Sequence, residues 1–450
     1  MNTATNTAPE AGRLRRTLTL RDLILYGIVI IQPTAPMPLF GVVFLEARGH
    51  VVLPVLLAMV AMLLTATSYG RMARVYPSAG SAYTYVAAEF GNAIGYITGW
   101  VILLDYLLNP LICTIWCSKA AANLAPMIPV PLWCVGFALM FTMLNLRGIE
   151  ASARTNFWLA GVMSVVVAGM LFCMVRYILH TGPHGAGFLS QPFYDPSTFS
   201  WNSIWTGTSV AALTYIGFDS ISTLSEEAIN PRRNILLATV LTCLVTGVLA
   251  ATEVYVAQLV WPRGKLFPDM DTAYVFVAGQ AGGRILFHVI NATLLLATIG
   301  SGIGTQLGAA RLLYGMGRDN ALPRRFFAAI DPKRGIPANN VIFIGALALV
   351  GSLLISYQLG AELLNFGAFL AFMGVNGATI AHYFIKGRDR RWSFLVLPLA
   401  GFLVCFYTWI NLRWTAKLAG FIWLAMGIVY GVYRWRFARA EMKTVTDGQS

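Results

Sequence analysis

Long apolar segments recur along almost the whole chain, and their length restricts its fold more than any other feature. Each runs for about 18 residues or more, enough for an α-helix to cross a hydrocarbon core of about 30 Å. A helix satisfies its own backbone hydrogen bonds, as lipid requires. The segments therefore predict an all-α polytopic membrane protein with twelve transmembrane helices. The predicted spans are 22–46, 51–74, 93–124, 129–147, 155–179, 203–228, 235–260, 284–316, 338–358, 361–385, 393–411 and 415–436.

The composition of the 450 residues excludes a water-soluble protein. Hydrophobic residues make up 57% and charged residues 11%, whereas soluble chains average about 45–50% and about 25%. The loops are mostly short, so we expect one transmembrane domain over 21–437 between tails at 1–20 and 438–450. Because the polar, basic segment Met1–Arg16 lacks the apolar core of a signal peptide, we expect the first span to be retained.

Basic residues outnumber acidic ones by 32 to 19, and a net charge of +13 is compatible with a nucleic-acid partner. Their positions give a different explanation. Twelve spans place both termini on one side, and 24 of the 32 basic residues fall on that side. Since lysine and arginine concentrate in cytoplasmic loops, both termini are predicted to be cytoplasmic, in the inner (cytoplasmic) membrane. No nucleic-acid partner is expected.

All six cysteines fall inside predicted spans, so we expect no disulfide framework. Cys113 and Cys117 share a helix face, but no histidine or carboxylate lies beside them at ligand spacing. We expect these two cysteines to serve packing. The sequence predicts neither a metal nor a cofactor.

The first span is interrupted by prolines. Residues 31–38 read IQPTAPMP, and three prolines remove three amide donors and block three carbonyls one turn earlier. A broken helix is tolerated in a membrane where protein or a water-filled cavity surrounds the break. The pattern favours a break over the alternative, a proline kink in a continuous helix.

The sixth span contains a glycine and a carboxylate at mid-membrane depth, in YIGFDSIS at residues 215–222. A charge there costs roughly 2.5–3.5 kcal/mol on insertion scales, so something must compensate for Asp219. It could cap a second half-helix by accepting from the amides of Ile221 or Ser222. It could also form a cation or proton site. Breaks five spans apart are typical of transporters with two inverted five-helix repeats and a midplane site.

Several motifs carry a resemblance to a known family. Residues 76–85 (YPSAGSAYTY), the stretch from Gly217 to Arg233 and residues 310–320 (ARLLYGMGRDN) resemble amino acid-polyamine-organocation permeases. The resemblance covers nearly the whole chain. Within that superfamily, Gly99-Trp100, residues 103–107 (LLDYL) and residues 364–368 (LNFGA) are most similar to the bacterial putrescine importers.

The resemblance implies two five-helix repeats, two extra C-terminal helices and an alternating-access cycle that is usually driven by protons. It places the substrate between the broken first and sixth helices, under a gating aromatic that matches Phe218. Backbone carbonyls of Tyr215, Ile216 and Gly217 would receive the substrate's amine, as suits the negative end of a half-helix. Contacts from the first break would come from Thr34, Ala35 and Met37.

The chain departs from the family at three places. Amino-acid members commonly bind the substrate carboxylate with free amides of a glycine-rich first break, but here Pro36 and Pro38 leave mainly Ala35 and Met37 as donors. The putrescine importers carry a carboxylate shortly after this break, where the present chain has Met37-Pro38-Leu39-Phe40. Residues 157–172 hold no ionisable side chain, which excludes coupling through a fifth-helix lysine.

Two further intramembrane carboxylates are candidates for function. Asp105, beside Tyr106 in the third span, could join Asp219 in binding the two ends of a diamine. Alternatively, Asp105 pairs with a neighbouring helix or accepts from hydroxyls, and Tyr106 is a core residue. Glu253 in the seventh span could carry the coupling proton in an apolar site, although a hydrated position near the outer surface is favoured.

At the inner end of the sixth span, Glu226 and Glu227 lie near Arg232 and Arg233. They could form a cytoplasmic ion-pair gate, although a solvated interface pair is the commoner arrangement.

Other functional classes fit less well. A channel would be expected to show a lined pore or rings of charge, and an enzyme a convergent nucleophile and base or a metal. A sensor would need a signalling domain. We therefore predict a non-enzymatic secondary permease that imports a small organic amine, with a polyamine such as putrescine favoured, coupled to protons. The alternative is an amino acid permease or exchanger.

Overall fold

A computed structural model describes residues 16–447 except 78–80, 148–152, 182–184, 186, 262–264, 319–321, 333–334 and 388–390. Within helices, the side chains of residues 153–160, 226 and 435–447 are also not described. Most of the N-terminal tail, His184, Arg263, the end of the C-terminal tail and part of the YPSAGSAYTY motif therefore lie outside the described residues.

Sixteen α-helices form the described part of the chain, which contains one isolated β-bridge, between Leu18 and Ala228, and no strand. The helices are α1 (Leu20–Ile31), α2 (Phe40–Glu46), α3 (Val52–Val75), α4 (Ser81–Phe90), α5 (Asn92–Leu124), α6 (Val130–Leu146), α7 (Ala153–His180), α8 (Trp201–Ala211), α9 (Ser220–Thr223), α10 (Pro231–Val260), α11 (Ala273–Arg318), α12 (Arg324–Phe327), α13 (Ala338–Leu354), α14 (Tyr357–Ile380), α15 (Ser393–Ile410) and α16 (Trp414–Asp447). Short 3₁₀ segments cover Ala212–Tyr215 and Leu224–Glu226, and a π-helical turn covers Ala381–Lys386.

The polytopic all-α prediction is confirmed. Among the described residues, eight helices are long and apolar enough to cross a membrane, and α6 and α13 are shorter apolar helices. The first and sixth spans are the two broken ones. Together these account for the twelve crossings, arranged as two five-helix halves that each begin with a broken helix, followed by α15 and α16. We call the side on which α1 begins the terminal face, and the side on which α2 ends the distal face.

The helix bounds differ from the sequence prediction in several places. A helix at residues 273–281 precedes the eighth span and is separated from it by non-helical Gly282 and Gly283, the second of which has a φ of 67°. The ten-residue α4 was also not predicted. Both are shorter than a membrane crossing, so a search for long apolar runs passes over them. The ninth span ends at Leu354 and α14 already begins at Tyr357, each four residues earlier than predicted.

A polar network on the terminal face joins α4 to the end of the tenth span. The carboxylate of Glu89, whose side chain is 2% exposed, accepts hydrogen bonds from the Tyr76 hydroxyl at 2.9 Å and Lys386 Nζ at 2.9 Å. His382 Nδ1 lies 2.6 Å from the same carboxylate. Three partners from two segments thus satisfy one buried acid.

The six cysteines all lie in helices. All six are free, and five of them are buried. Cys113 and Cys117 pack in an apolar cluster with Ala121, Phe137 and Phe141. The Cys113 thiol also donates to the Asn109 side chain.

Candidate substrate site at the two helix breaks

The first break is an irregular segment between Ile31 and Phe40, in which Gln32 has a φ of 68°. A break rather than a kink is therefore confirmed. The amide of Ala35 donates to the Gln32 carbonyl at 3.2 Å, and the amide of Met37 donates to the Thr34 carbonyl at 3.1 Å. Both donors that the prolines leave available are thus occupied by the chain itself. This geometry offers little to a substrate carboxylate.

The second break begins after α8, where a 3₁₀ turn replaces the α-helix. The helical conformation then ends before Gly217, whose φ is +116°. A Cβ atom placed on Gly217 would lie 2.6 Å from Cγ2 of Ile30 on α1. Glycine is required here for both reasons, the backbone conformation and the close approach. The contact also shows that the two breaks lie against each other.

The backbone carbonyls of the second break are not equally available. The Tyr215 carbonyl accepts from the Phe218 amide at 3.3 Å, and the Gly217 carbonyl accepts from the Ser220 amide at 3.1 Å. No described backbone hydrogen bond ends on the Ile216 carbonyl. Of the three carbonyls expected to receive an amine, Ile216 is therefore the open one.

Asp219 does not cap α9 in the way considered from the sequence. Its side chain makes no cap hydrogen bond, and the Ser222 amide donates to the Asp219 backbone carbonyl at 2.9 Å instead. The Ile221 amide is used by Phe218. The short α9 starts with a tight turn, so these amides face backbone carbonyls rather than the carboxylate. The backbone amides of Gly217, Asp219 and Ser220 interact with the partly exposed carboxylate.

Asp105 on α5 is partly exposed and interacts electrostatically with Asp219. Across the described residues, no hydrogen bond or ion pair reaches the Asp105 carboxylate, so the alternative of a satisfied structural residue finds no support. Tyr106 is also partly exposed and interacts with both carboxylates. The fold therefore brings together two acids that are far apart in sequence.

Three tyrosines interact electrostatically with Asp219, and the sequence pointed to only one of them, Tyr106. Tyr26 on α1 and Tyr69 on α3 also interact with the Asp219 carboxylate. The Tyr69 hydroxyl is buried and lacks a hydrogen-bond partner. Tyrosines are common in apolar helices, so no local signal distinguishes these two from packing residues.

Phe218 lies in an aromatic cluster with Tyr69, Tyr85 and Phe372. Its ring is fully buried, with centroids 5.5 Å from Tyr69 and 5.3 Å from Phe372. Tyr85 belongs to α4, so the cluster closes the site toward the terminal face. Ser81 and Ser222 add a hydrogen bond of 2.8 Å at the same closure.

The other residues predicted to contact the substrate differ in how exposed they are. Ala35 and Ile216 are partly exposed, whereas Thr34 and Met37 are 3% and 1% exposed. Tyr215 is fully buried, and its hydroxyl donates to the Val55 carbonyl at 2.8 Å. In this conformation Tyr215 therefore supports the break with its side chain rather than lining the site.

The sequence also led to interpretations of Glu253 and of the pair Glu226 and Glu227. The first needs correction, and the second stays open. Glu253 was favoured as a hydrated residue, but it is fully buried, because the segment before the eighth span covers α10. On the terminal face, Glu227 forms no ion pair with Arg232 or Arg233 among the described side chains, and its backbone carbonyl accepts from Thr17 and Leu18. The side chain of Glu226 is not described.

The described residues give the site an acidic character. Asp105 and Asp219 interact electrostatically, and no described lysine, arginine or histidine interacts with either carboxylate. Two like charges at short range in a low-dielectric interior repel each other. A cationic ligand placed between them would remove that repulsion and provide the missing hydrogen-bond donors.

Comparison with known proteins agrees with this architecture. The sequence model of the amino acid permease family matches residues 41–438. The low-affinity putrescine importer PlaP of Escherichia coli K12 is 35% identical over 442 residues, covering 94% of this chain and 95% of the relative. The branched-chain amino acid permease BcaP of Lactococcus lactis is 29% identical, covering 92% and 94%. The methylthioribose transporter of Bacillus subtilis is 25% identical, covering 94% of both chains.

All of these relatives are named as transporters or permeases. The family match spans the broken sixth helix, both candidate carboxylates and the second half of the first span. The chain is therefore a multi-pass membrane transport protein that belongs to the amino acid permease family of the amino acid-polyamine-organocation superfamily.

Proposed function

We propose that this chain is a secondary active importer of a small organic diamine such as putrescine. The observation that carries the proposal is the pair Asp105 and Asp219, which interact electrostatically from α5 and the sixth span and have no described cation as a partner. A diamine carries one ammonium group for each carboxylate. Its binding would neutralise the pair, whereas a single ammonium group would leave one carboxylate uncompensated.

The first break supports an amine over a carboxylate-bearing substrate. The amides of Ala35 and Met37 are already bonded within the break, so a substrate carboxylate would find few donors there. The open carbonyl of Ile216 is an acceptor and suits an ammonium group. The name of the E. coli relative, a putrescine importer, points in the same direction.

Amino acid transport is the second candidate. Two relatives are named branched-chain amino acid permeases, in Lactococcus lactis and Bacillus subtilis, at 29% and 27% identity. In this case the amino group would lie at Ile216 and Asp219, and the substrate carboxylate would meet the site's hydroxyls. Asp105 would then have no ligand partner. The diamine importer therefore needs the Asp105 carboxylate for binding, whereas the amino acid permease does not.

Uptake by reconstituted protein separates the candidates. We expect proteoliposomes to take up radiolabelled putrescine saturably, with accumulation increased by an inward proton gradient. Asp105→Asn should weaken putrescine uptake by about 10- to 100-fold, the value of a charge-assisted contact worth about 1.5–3 kcal/mol. Saturable amino acid uptake that excess putrescine does not inhibit, and that Asp105→Asn leaves unchanged, would establish the amino acid permease instead.

We further propose that the terminal face is cytoplasmic and that the protein resides in the inner membrane. The support is the excess of lysine and arginine on that face. A membrane-impermeant thiol reagent should label a cysteine introduced at exposed Arg324 only after the cells are permeabilised. One introduced at exposed Leu266 should be labelled in intact cells. The reverse pattern would invert the topology and the predicted direction of import.

A further inference from the structure

Glu253 is a buried acid that the proposed amine site does not use. It lies in the distal half of α10, is fully buried, and neither carboxylate oxygen has a hydrogen-bond partner. Cys243, on the same helix, interacts with Asp219. Ten residues of helix separate it from Glu253, a rise of about 15 Å. Glu253 is thus a separate position rather than a third contact of the amine site.

Among the described residues, no group around Glu253 compensates for an ionised carboxylate. The ionisable neighbour is Tyr274, whose hydroxyl donates to the Glu253 backbone carbonyl at 3.2 Å rather than to the side chain. The facing part of α3, residues 52–65, contains no ionisable side chain. At the distal end of α7, Arg176, Tyr177 and His180 do not interact electrostatically with it, and neither do Asp22 and Tyr26 of α1. A buried group in this situation is held in its neutral, protonated form.

The segment that covers Glu253 packs against α2, the second half of the first span. The Tyr274 ring packs edge-on against Phe40 of α2, with centroids 5.4 Å apart. Behind it, the backbone of Gly41 lies so close to the Met270 carbonyl that a side chain at Gly41 would not fit. The seven-residue α2 is separated from α1 by the proline break. A displacement of α2 would therefore loosen the segment 270–274 and admit water to Glu253.

We propose that Glu253 is a proton-binding site that controls closure of the distal side: α2 closes over segment 270–274 only when Glu253 carries a proton. When α2 opens, water reaches the carboxylate, which exchanges one proton with the distal solution. When α2 closes, the neutral acid is buried again. This inference deepens the proposed function, because it assigns the closing step of the alternating-access cycle to one residue outside the amine site.

The test compares the intact protein with Glu253→Gln, which imitates the protonated acid. Putrescine counterflow in proteoliposomes with equal pH on both sides reports opening and closing without a proton-motive driving force. The wild type should slow as the pH rises, by up to about tenfold per pH unit where closure takes up one proton. Glu253→Gln should remain active and lose this dependence. Glu46→Gln, which changes a partly exposed acid at the end of α2, should keep it.

A second measurement needs no substrate and so separates this inference from the substrate assignment. The thermal unfolding midpoint of the wild type in detergent should fall from weakly acidic to weakly alkaline pH more steeply than that of Glu253→Gln. Equal pH dependence of both proteins, in counterflow or in unfolding, would overturn the proposal. So would a Glu253→Gln protein that is misfolded or inactive at every pH, because a neutral amide should satisfy a site that holds a neutral acid.

Discussion

The protein compensates in opposite ways for the buried acid on the terminal face and for the partly exposed acids Asp105 and Asp219. Glu89 is matched by Tyr76, His382 and Lys386. Asp105 and Asp219 interact with each other and have no described cation as a partner. A structural carboxylate receives hydrogen bonds or an opposite charge from the protein itself. A carboxylate in a membrane interior that lacks both is a candidate for binding a ligand or a proton. Substitutions in the two regions should therefore affect different properties.

The largest effect is expected for Asp219→Asn. The amide preserves size and hydrogen bonding but removes the charge that a cationic substrate needs. Transport should fall by about 100-fold or more, while folding and membrane insertion are retained. Uptake assays paired with size-exclusion profiles check this. Normal transport by a folded Asp219→Asn protein would mean that the Asp219 carboxylate has only a structural role. Asp219 would then not differ from Glu89 in function.

Glu89→Ala should produce the opposite result. Loss of the carboxylate leaves Tyr76, His382 and Lys386 without their shared acceptor, so unfolding should become easier by about 1–3 kcal/mol. Substrate affinity should stay near wild type, because the network lies on the terminal face. Thermal unfolding and equilibrium binding measure the two quantities. Lys386→Ala is the matched control and should cost about 1 kcal/mol or less, since Lys386 is 56% exposed.

Gly217→Ala tests the backbone that holds Asp219. A Cβ atom at φ +116° would meet Ile30 Cγ2 at 2.6 Å, so either the break opens or α1 shifts. We expect a cost of about 1–3 kcal/mol and reduced transport. Gly304→Ala is the control, because a Cβ atom there has no neighbour within 4 Å. Equal tolerance of both substitutions in unfolding and uptake assays would show that the break does not need the glycine.

The smallest expected effect is a pH dependence of stability that arises at Glu89. Burial raises the pKa of Glu89, but hydrogen bonds from Lys386, His382 and Tyr76 outweigh burial and hold the pKa below its ordinary value. The unfolded chain therefore takes up the proton first on acidification. The stabilisation is complete above about pH 4.3, the ordinary glutamate value, and is lost as the pH falls through the folded pKa.

Unfolding midpoints measured across this acidic range should decline less steeply for Glu89→Gln than for the wild type. Parallel curves for the two proteins would show that the network does not hold the proton off Glu89.

The positions of both breaks could be predicted because their causes are local. Prolines lack amides and glycine accepts a positive φ, and neither property depends on the rest of the fold. The availability of Ile216 rather than Tyr215 or Gly217 as an open carbonyl could not be predicted, since it depends on which amides the turn uses. The contributions of Tyr26 and Tyr69 to the site depend on α1 and α3 packing beside the sixth span.

The sequence by itself determined that this chain crosses the membrane as helices, that the first and sixth spans are broken, and that Asp105 and Asp219 are acids in an apolar setting. Length, composition and backbone chemistry are enough for these conclusions. Only the tertiary structure decided that the two acids come close enough to interact and that Glu253 is covered. Both depend on contacts between helices far apart in sequence, where burial and the absence of a partner are set by the neighbouring helices.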